Sequence, residues 1–136
     1  MNQNIVTIDP TESAALAARL LARHNVGALP VCSGNGRLQG IVTDRDIILR
    51  CVAPEEDPTQ IPVKNIMTRH PKALSPADDV RQAAQIMAIQ QVRRLPVVEE
   101  GRVVGLVSLG DLAKCGKFEM EVSKALTDIS ENVKRV

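Results

Sequence analysis

Leu95–Asp111 reads LPVVEEGRVVGLVSLGD, and Leu29–Asp46 has already read LPVCSGNGRLQGIVTDRD. Laid over each other with a one-residue gap in the turn, the two stretches share Leu-Pro-Val, Gly-Arg, a Gly before the last strand and a closing Asp. The match continues upstream: Ile8-Asp9-Pro10 falls on Leu74-Ser75-Pro76, and Ala17-Ala18 falls on Ala83-Ala84. A period of about 65 residues is too long for a solenoid repeat and suits a duplicated small domain. The chain therefore reads as two copies of one unit, with a joining segment and a tail.

Composition bounds what such a pair can be. A chain of 136 residues buries roughly two-thirds of its surface on folding, whereas each half alone is marginal, so the copies are expected to pack face to face. One Phe, no Tyr and no Trp argue against stacking on single-stranded nucleic acid, and a net charge of +1 is no footprint for a polyanion. The start, MNQNIVTIDP, lacks a basic leader and no apolar run is long enough to span a bilayer, so no membrane association is expected. Cys32, Cys51 and Cys115 are odd in number and far apart, which suits a reducing compartment; the cytoplasm is the expected location.

Asp9-Pro10-Thr11-Glu12 has the form of a helix start, with Asp as N-cap and Pro in the first turn, and Ser75-Pro76-Ala77-Asp78 repeats it. Ala14, Ala17, Ala18 and Leu21 then recur at helical spacing, matched by Val80, Ala83, Ala84 and Met87. The helices are expected to stop at Val26 and Val92. Strands follow at Leu29–Cys32 and Leu38–Val42 around Ser33-Gly34-Asn35-Gly36, where Asn-Gly favours a hairpin, and at Leu95–Val98 and Val103–Val107 around Glu99-Glu100-Gly101. A second helix closes each unit, near Asp44–Val52 and Gly110–Lys114. The unit is short strand, helix, strand, strand, helix. Ala53–Pro62, with three prolines and an acidic cluster, reads as a linker. Val63–Met67 leads into the second copy as a short helical turn. Past Cys115, an apolar stripe from Phe118 to Val133 predicts a tail helix that needs a surface to bury against.

The doubled Leu-Pro-Val, the doubled Gly-x-x-[Thr/Ser]-x-x-Asp (Gly40 to Asp46 and Gly105 to Asp111) and the lead-in Asn65-Ile66-Met67-Thr68 resemble a tandem pair of cystathionine-β-synthase (CBS) domains of the stand-alone bacterial type. The resemblance implies an α+β fold: two β-α-β-β-α units stacked with pseudo-twofold symmetry, plus the C-terminal helix. Its boundaries are 1–53 for the first unit, 54–62 for the linker, 63–115 for the second unit and 116–136 for the tail. It also implies clefts between the units that bind adenine nucleotides or related adenosyl compounds such as S-adenosylmethionine. Fold analogy carries the fold further than the ligand.

By the same resemblance Thr43 with Asp46, and Ser108 with Asp111, contact the ligand. The chemistry suits them, since a carboxylate accepts from both ribose hydroxyls and a helix N-terminus favours phosphate. The same four residues have the form of helix capping boxes, with Asp in place of Glu, and that role needs no ligand. Arg93 and Arg94 stand where relatives carry phosphate-reaching basic residues, while the first copy has Gly27-Ala28; the alternative is a pair of solvated cations at a helix C-terminus. Val31, Val97, Ile8, Leu74 and Ile66 line the adenine slots on this analogy, or simply pack the core.

Other signals are weaker. Gly34-Asn35-Gly36-Arg37-Leu38-Gln39-Gly40 nearly spells a dinucleotide fingerprint, but it joins two strands and reads as a turn. His24 and His70 form no metal spacing, and His24 aligns with Gln90, an exposed helix position. Asp78-Asp79 and Glu99-Glu100 read as solvated charge rather than an acid/base pair. No nucleophile–base pair is evident, so binding is expected rather than catalysis. The expectation is a ligand-sensing regulatory protein, with no required cofactor, acting on an unknown effector in trans and forming a homodimer; the alternative is a ligand-free dimerising scaffold.

Overall fold

The computed structural model describes residues 5–90 and 92–113. The expected tail helix over 116–136 lies outside the described residues. Packing divides the described chain into two units, 5–71 with 100–103, and 72–99 with 104–113. Each is a small α+β body with its own core.

In the first unit, α1 (Ala14–His24) precedes the antiparallel hairpin β1 (Ala28–Cys32) and β2 (Leu38–Thr43). A helical turn α2 (Asp44–Ile47) runs into a π-helical turn at Ile48–Val52, which together fill the expected second helix. A 3-10 turn at Val63–Asn65 then leads to β3 (Thr68–Arg69), which adds to β2. The sheet order is β1-β2-β3. Sequence periodicity gave no sign of β3, because a two-residue strand has no alternation to detect. In the second unit, α3 (Val80–Gln90) precedes the hairpin β4 (Arg94–Glu99) and β5 (Arg102–Ser108), closed by α4 (Leu109–Ala113).

Both long helices begin later than their Asp-Pro and Ser-Pro signals predict. The N-cap of α1 is Ser13, whose hydroxyl accepts from Leu16 N–H at 3.1 Å. Asp9 instead closes a turn, accepting from the Thr11 N–H at 2.9 Å and the Thr11 hydroxyl at 2.7 Å. At α3 the cap is Asp79, which accepts from Gln82 N–H at 2.9 Å while Gln82 Oε1 accepts from Asp79 N–H at 2.9 Å. Asp78 closes the preceding turn by accepting from Ser75 N–H at 2.8 Å. Asp78 and Asp79 are both exposed, as solvated charge should be, and they also serve as local acceptors. The local reason is one of competition: Asp and Ser bind their own nearby amides and form turns as readily as caps.

The linker completes α1. The first four N–H groups of a helix lack intrahelical partners. Here Ala14 N–H donates to Ile61 O and Ala15 N–H to Pro58 O, both at 2.9 Å, while Leu16 and Ala17 use Ser13. The segment read as a joiner is thus part of the first unit's hydrogen bonding. Asp57-Pro58-Thr59 repeats the Asp9 turn, with the same 2.9 and 2.7 Å bonds. Helix α1 stops at Asn25, which takes the left-handed conformation (φ 51°) that Asn tolerates and that ends helices.

The first strand of each unit shrinks to one parallel bridge, Ile8 to Val31 and Leu74 to Val97. Proline explains why. Ile8 N–H donates to Pro30 O and Cys32 N–H to Ile8 O; Leu74 and Val98 repeat this around Pro96. The amide position of each proline therefore faces the short strand, where the missing N–H ends the ladder after one step, and the β1–β2 and β4–β5 pairings lose nothing.

Of the predicted apolar faces, Ala14, Ala17 and Leu21 on α1, and Ala83, Ala84 and Met87 on α3, are in the cores, Val80 packs half-buried against the second core, and Ala18 is exposed. Leu29, Val31, Val42, Val63 and Ile66 anchor the first core, and Leu95, Val97, Leu109 and Leu112 the second. Glu100 and Gly101 both take positive φ (53° and 79°), so the second hairpin turns on two residues despite lacking Asn-Gly.

Candidate functional site

Each hairpin hands its last residue to the helical turn that follows, and the candidate polar residues sit at that junction. Thr43 is the N-cap of α2. Asp46 N–H donates to Thr43 Oγ1 at 3.0 Å, and Thr43 N–H donates to Asp46 Oδ2 at 3.0 Å. Ser108 and Asp111 repeat both bonds at 3.0 Å. The capping-box form read from the sequence is therefore present in both copies. The N–H of Asp44 donates to Gly27 O at 3.3 Å and that of Leu109 to Arg93 O at 2.8 Å. Arg45 N–H is taken by Asp44 Oδ1 at 2.8 Å. The first amides of α2 are thus satisfied within the chain.

Asp46 is the buried charged side chain of the described residues, at 8% exposure. Its second oxygen, Oδ1, lies 3.5 Å from Thr68 Oγ1 and 3.7 Å from Arg50 Nη1. Both contacts are long, so Oδ1 keeps acceptor capacity. Neither the Thr43 nor the Ser108 hydroxyl hydrogen has an acceptor among the described residues.

The structure brings Ile8, Val31, Thr43, Asp46 and Ile66 into the first unit, and Leu74, Arg93, Arg94, Val97, Ser108 and Asp111 into the second. The aliphatic members are buried: Val31 and Ile66 completely, Ile8, Val97 and Leu74 to within 5%. Their side chains belong to the cores. Arg93 is exposed and Arg94 half-buried, and neither guanidinium has an ion-pair or hydrogen-bond partner among the described residues.

Arg50 belongs to no sequence motif, and Thr68 entered only as the end of the Asn65–Thr68 lead-in, with no site role. Arg50 Nη1 donates to Ile66 O at 3.0 Å and to Met67 O at 3.1 Å, while Arg50 and Thr68 both stand near Asp46 Oδ1. The i,i+4 spacing of Asp46 and Arg50 was the available signal.

Cys32 and Cys51 are buried free thiols. Burial pushes Cys32 up to about 11; Cys51 is raised by burial and by the charges of Glu56 and Asp57. Among the described residues no three His, Cys, Asp or Glu side chains gather to hold a metal ion, and no helix is long and apolar enough to cross a membrane. A shallow hollow of about 340 Å³ over the linker, lined by Glu56, Asp57, Gln60, Ile61, Pro62 and Asn65, shares no residue with the candidate positions.

With the repeated junction in view, the class of protein follows. The family model of the CBS domain matches residues 1–53 and again 63–116, and the chain belongs to that family as a tandem pair. The CBS domain-containing protein YhcV of Bacillus subtilis is 41% identical over 130 residues, covering 96% of this chain and 91% of that protein. The fold is similar to the crystal structure of Hypoxic Response Protein I with two coordinated zinc ions (TM-score 0.78, 32% identity, covering 84% of this chain and 92% of the other). It is also similar to CBSX2 in complex with AMP (TM-score 0.73, 27% identity, 85% and 89% covered).

Proposed function

We propose that this CBS pair is a ligand-sensing regulatory protein that binds an adenosine-containing compound, AMP, ADP, ATP or S-adenosylmethionine, at its repeated junctions. One observation carries the reading: the hydroxyl and carboxylate of the Gly-x-x-[Thr/Ser]-x-x-Asp motif are locked together in both copies, yet both hydroxyls and the carboxylate of the first copy retain hydrogen-bonding capacity. Among the described residues Thr43 and Ser108 keep an unused donor, and Asp46 keeps Oδ1. A ribose supplies the complementary pair of hydroxyls. The AMP complex of CBSX2 supports the ligand class.

In this reading Thr43, Asp46, Ser108 and Asp111 hold the ribose. Main-chain groups flanking Ile8, Val31, Ile66, Leu74 and Val97 meet the adenine edge. Arg93 and Arg94 neutralise phosphate. The amides of α2 are already taken, so side chains rather than that helix terminus would carry phosphate recognition. The protein needs no cofactor and acts by shifting between conformers of different ligand affinity, transmitting the shift to an effector in trans.

A second reading, a ligand-free dimerising scaffold, is favoured by Ile48, Leu49 and Val52, which share one helical turn and are each at least half exposed. Calorimetric titration with AMP, ADP, ATP and S-adenosylmethionine separates the two. Binding that is lost in Asp46→Asn and Asp111→Asn at unchanged melting temperature supports the sensor. Silence across the series, with a dimer in solution, supports the scaffold.

A further inference from the structure

The contact that the motif does not explain is the one Arg50 makes. It lies four residues after Asp46, on the π turn Ile48–Val52, where Ala53 N–H reaches back five residues to Ile48 O at 2.8 Å. Such turns are uncommon and concentrate at functional sites. Here the turn carries Arg50 over the peptide that follows the linker.

The hydrogen count at Arg50 is informative. Nη1 carries two hydrogens, and its two short contacts are carbonyls, Ile66 O at 3.0 Å and Met67 O at 3.1 Å. At 3.7 Å from Asp46 Oδ1 it therefore supplies charge without occupying the carboxylate. Thr68 Oγ1, at 3.5 Å, completes the arrangement from the next residue along. Residues 66–68 thus reach Asp46 twice, through Arg50 and through Thr68. They lie within the second CBS match, 63–116, yet pack in the first unit, which runs to residue 71, and Thr68 and Arg69 form β3 against Gly40 and Ile41.

We infer that Arg50 is a positioning residue that couples ligand occupancy at Asp46 to residues 66–69. The inference rests on the proposed ligand reading. A hydroxyl that takes Asp46 Oδ1 changes the field at Arg50 and competes with Thr68. Arg50 passes that change to the carbonyls it grips, so the first site and the strand β3 respond together. Without the guanidinium, the ligand still meets Asp46 and Thr43, but residues 66–69 no longer report it.

Hydrogen exchange read by mass spectrometry over residues 43–50 and 64–70, with and without AMP, tests this in the full chain. In the wild type AMP is expected to slow exchange in both segments, by about tenfold where the amides open locally. In Arg50→Ala the slowing persists over 43–50 and disappears over 64–70. Arg50→Lys, which restores a charge and a single ammonium donor group, recovers part of it and serves as the test should Arg50→Ala not fold. Equal slowing over 64–70 in the wild type and in the Arg50 variants overturns the coupling, as does slowing confined to 43–50 in the wild type. No slowing over either segment in the wild type overturns the ligand reading itself, and the coupling with it.

Discussion

Gly40 lies directly against the main chain of Thr68: a Cβ at Gly40 would stand 2.7 Å from the Thr68 carbonyl oxygen and 2.7 Å from Met67 Sδ. The glycine of the first copy's Gly-x-x-[Thr/Ser]-x-x-Asp motif is therefore held by strand pairing, since β3 lies antiparallel against β2 at this point. Gly40→Ala is expected to destabilise the protein by about 1–3 kcal/mol, as overpacking against backbone does. Gly34→Ala, with open space around it and no positive φ, should change stability by less than about 0.5 kcal/mol. Urea unfolding midpoints of the two variants check the contrast.

The true helix caps are Ser13 and Asp79. Ser13→Ala and Asp79→Ala should each cost about 1 kcal/mol, the usual worth of an N-cap. If Asp9→Ala or Ser75→Ala costs more than its neighbouring cap in thermal melts, the helix starts assigned here are wrong.

Arg93 and Arg94 distinguish phosphate from nucleoside recognition. Replacing both with Ala should weaken AMP binding by about tenfold, the scale of a charge-assisted contact. Adenosine affinity should stay unchanged. Titration calorimetry with the two ligands reads the difference, and equal weakening of both would sink the assigned role.

Cys32 links stability to alkaline pH. Its folded value, about 11, exceeds the ordinary 9.0 because burial disfavours the thiolate. The folded state therefore holds a proton that the unfolded chain releases. The contribution is complete below pH 9 and is lost as pH rises toward 11. Melting temperatures of wild type and Cys32→Ala across that range should converge as pH rises. Native alkylation at pH 8 should also leave Cys32 unmodified while the unfolded chain reacts.

Acid has the opposite sign. Asp9 and Asp57 are held below the ordinary 3.8 by the side-chain and then the backbone hydrogen bonds of Thr11 and Thr59. Their contribution is present above that value and disappears as pH falls through the lowered range. Thr11→Val and Thr59→Val, which keep the amide but remove the hydroxyl, should flatten the acid limb of a pH–stability profile.

The duplication was legible without coordinates because each copy must meet the same local demands. A Leu-Pro-Val strand, a hairpin, and a hydroxyl–carboxylate cap are all specified by residues a few positions apart. Thr43 with Asp46 and Ser108 with Asp111 are three residues apart, so their pairing follows from local helix geometry. The family could be read for the same reason. What tertiary structure alone decided is which of two competent local signals prevails. Asp9 and Ser13 can both cap a helix, and the choice fell to Ser13 where Pro58 and Ile61 carbonyls receive the next amides. Arg50 and β3 belong to the same category. Their partners are carbonyls and strand edges 16 or more residues away, and a main-chain acceptor looks alike at every position in a sequence until the fold sets one beside the guanidinium.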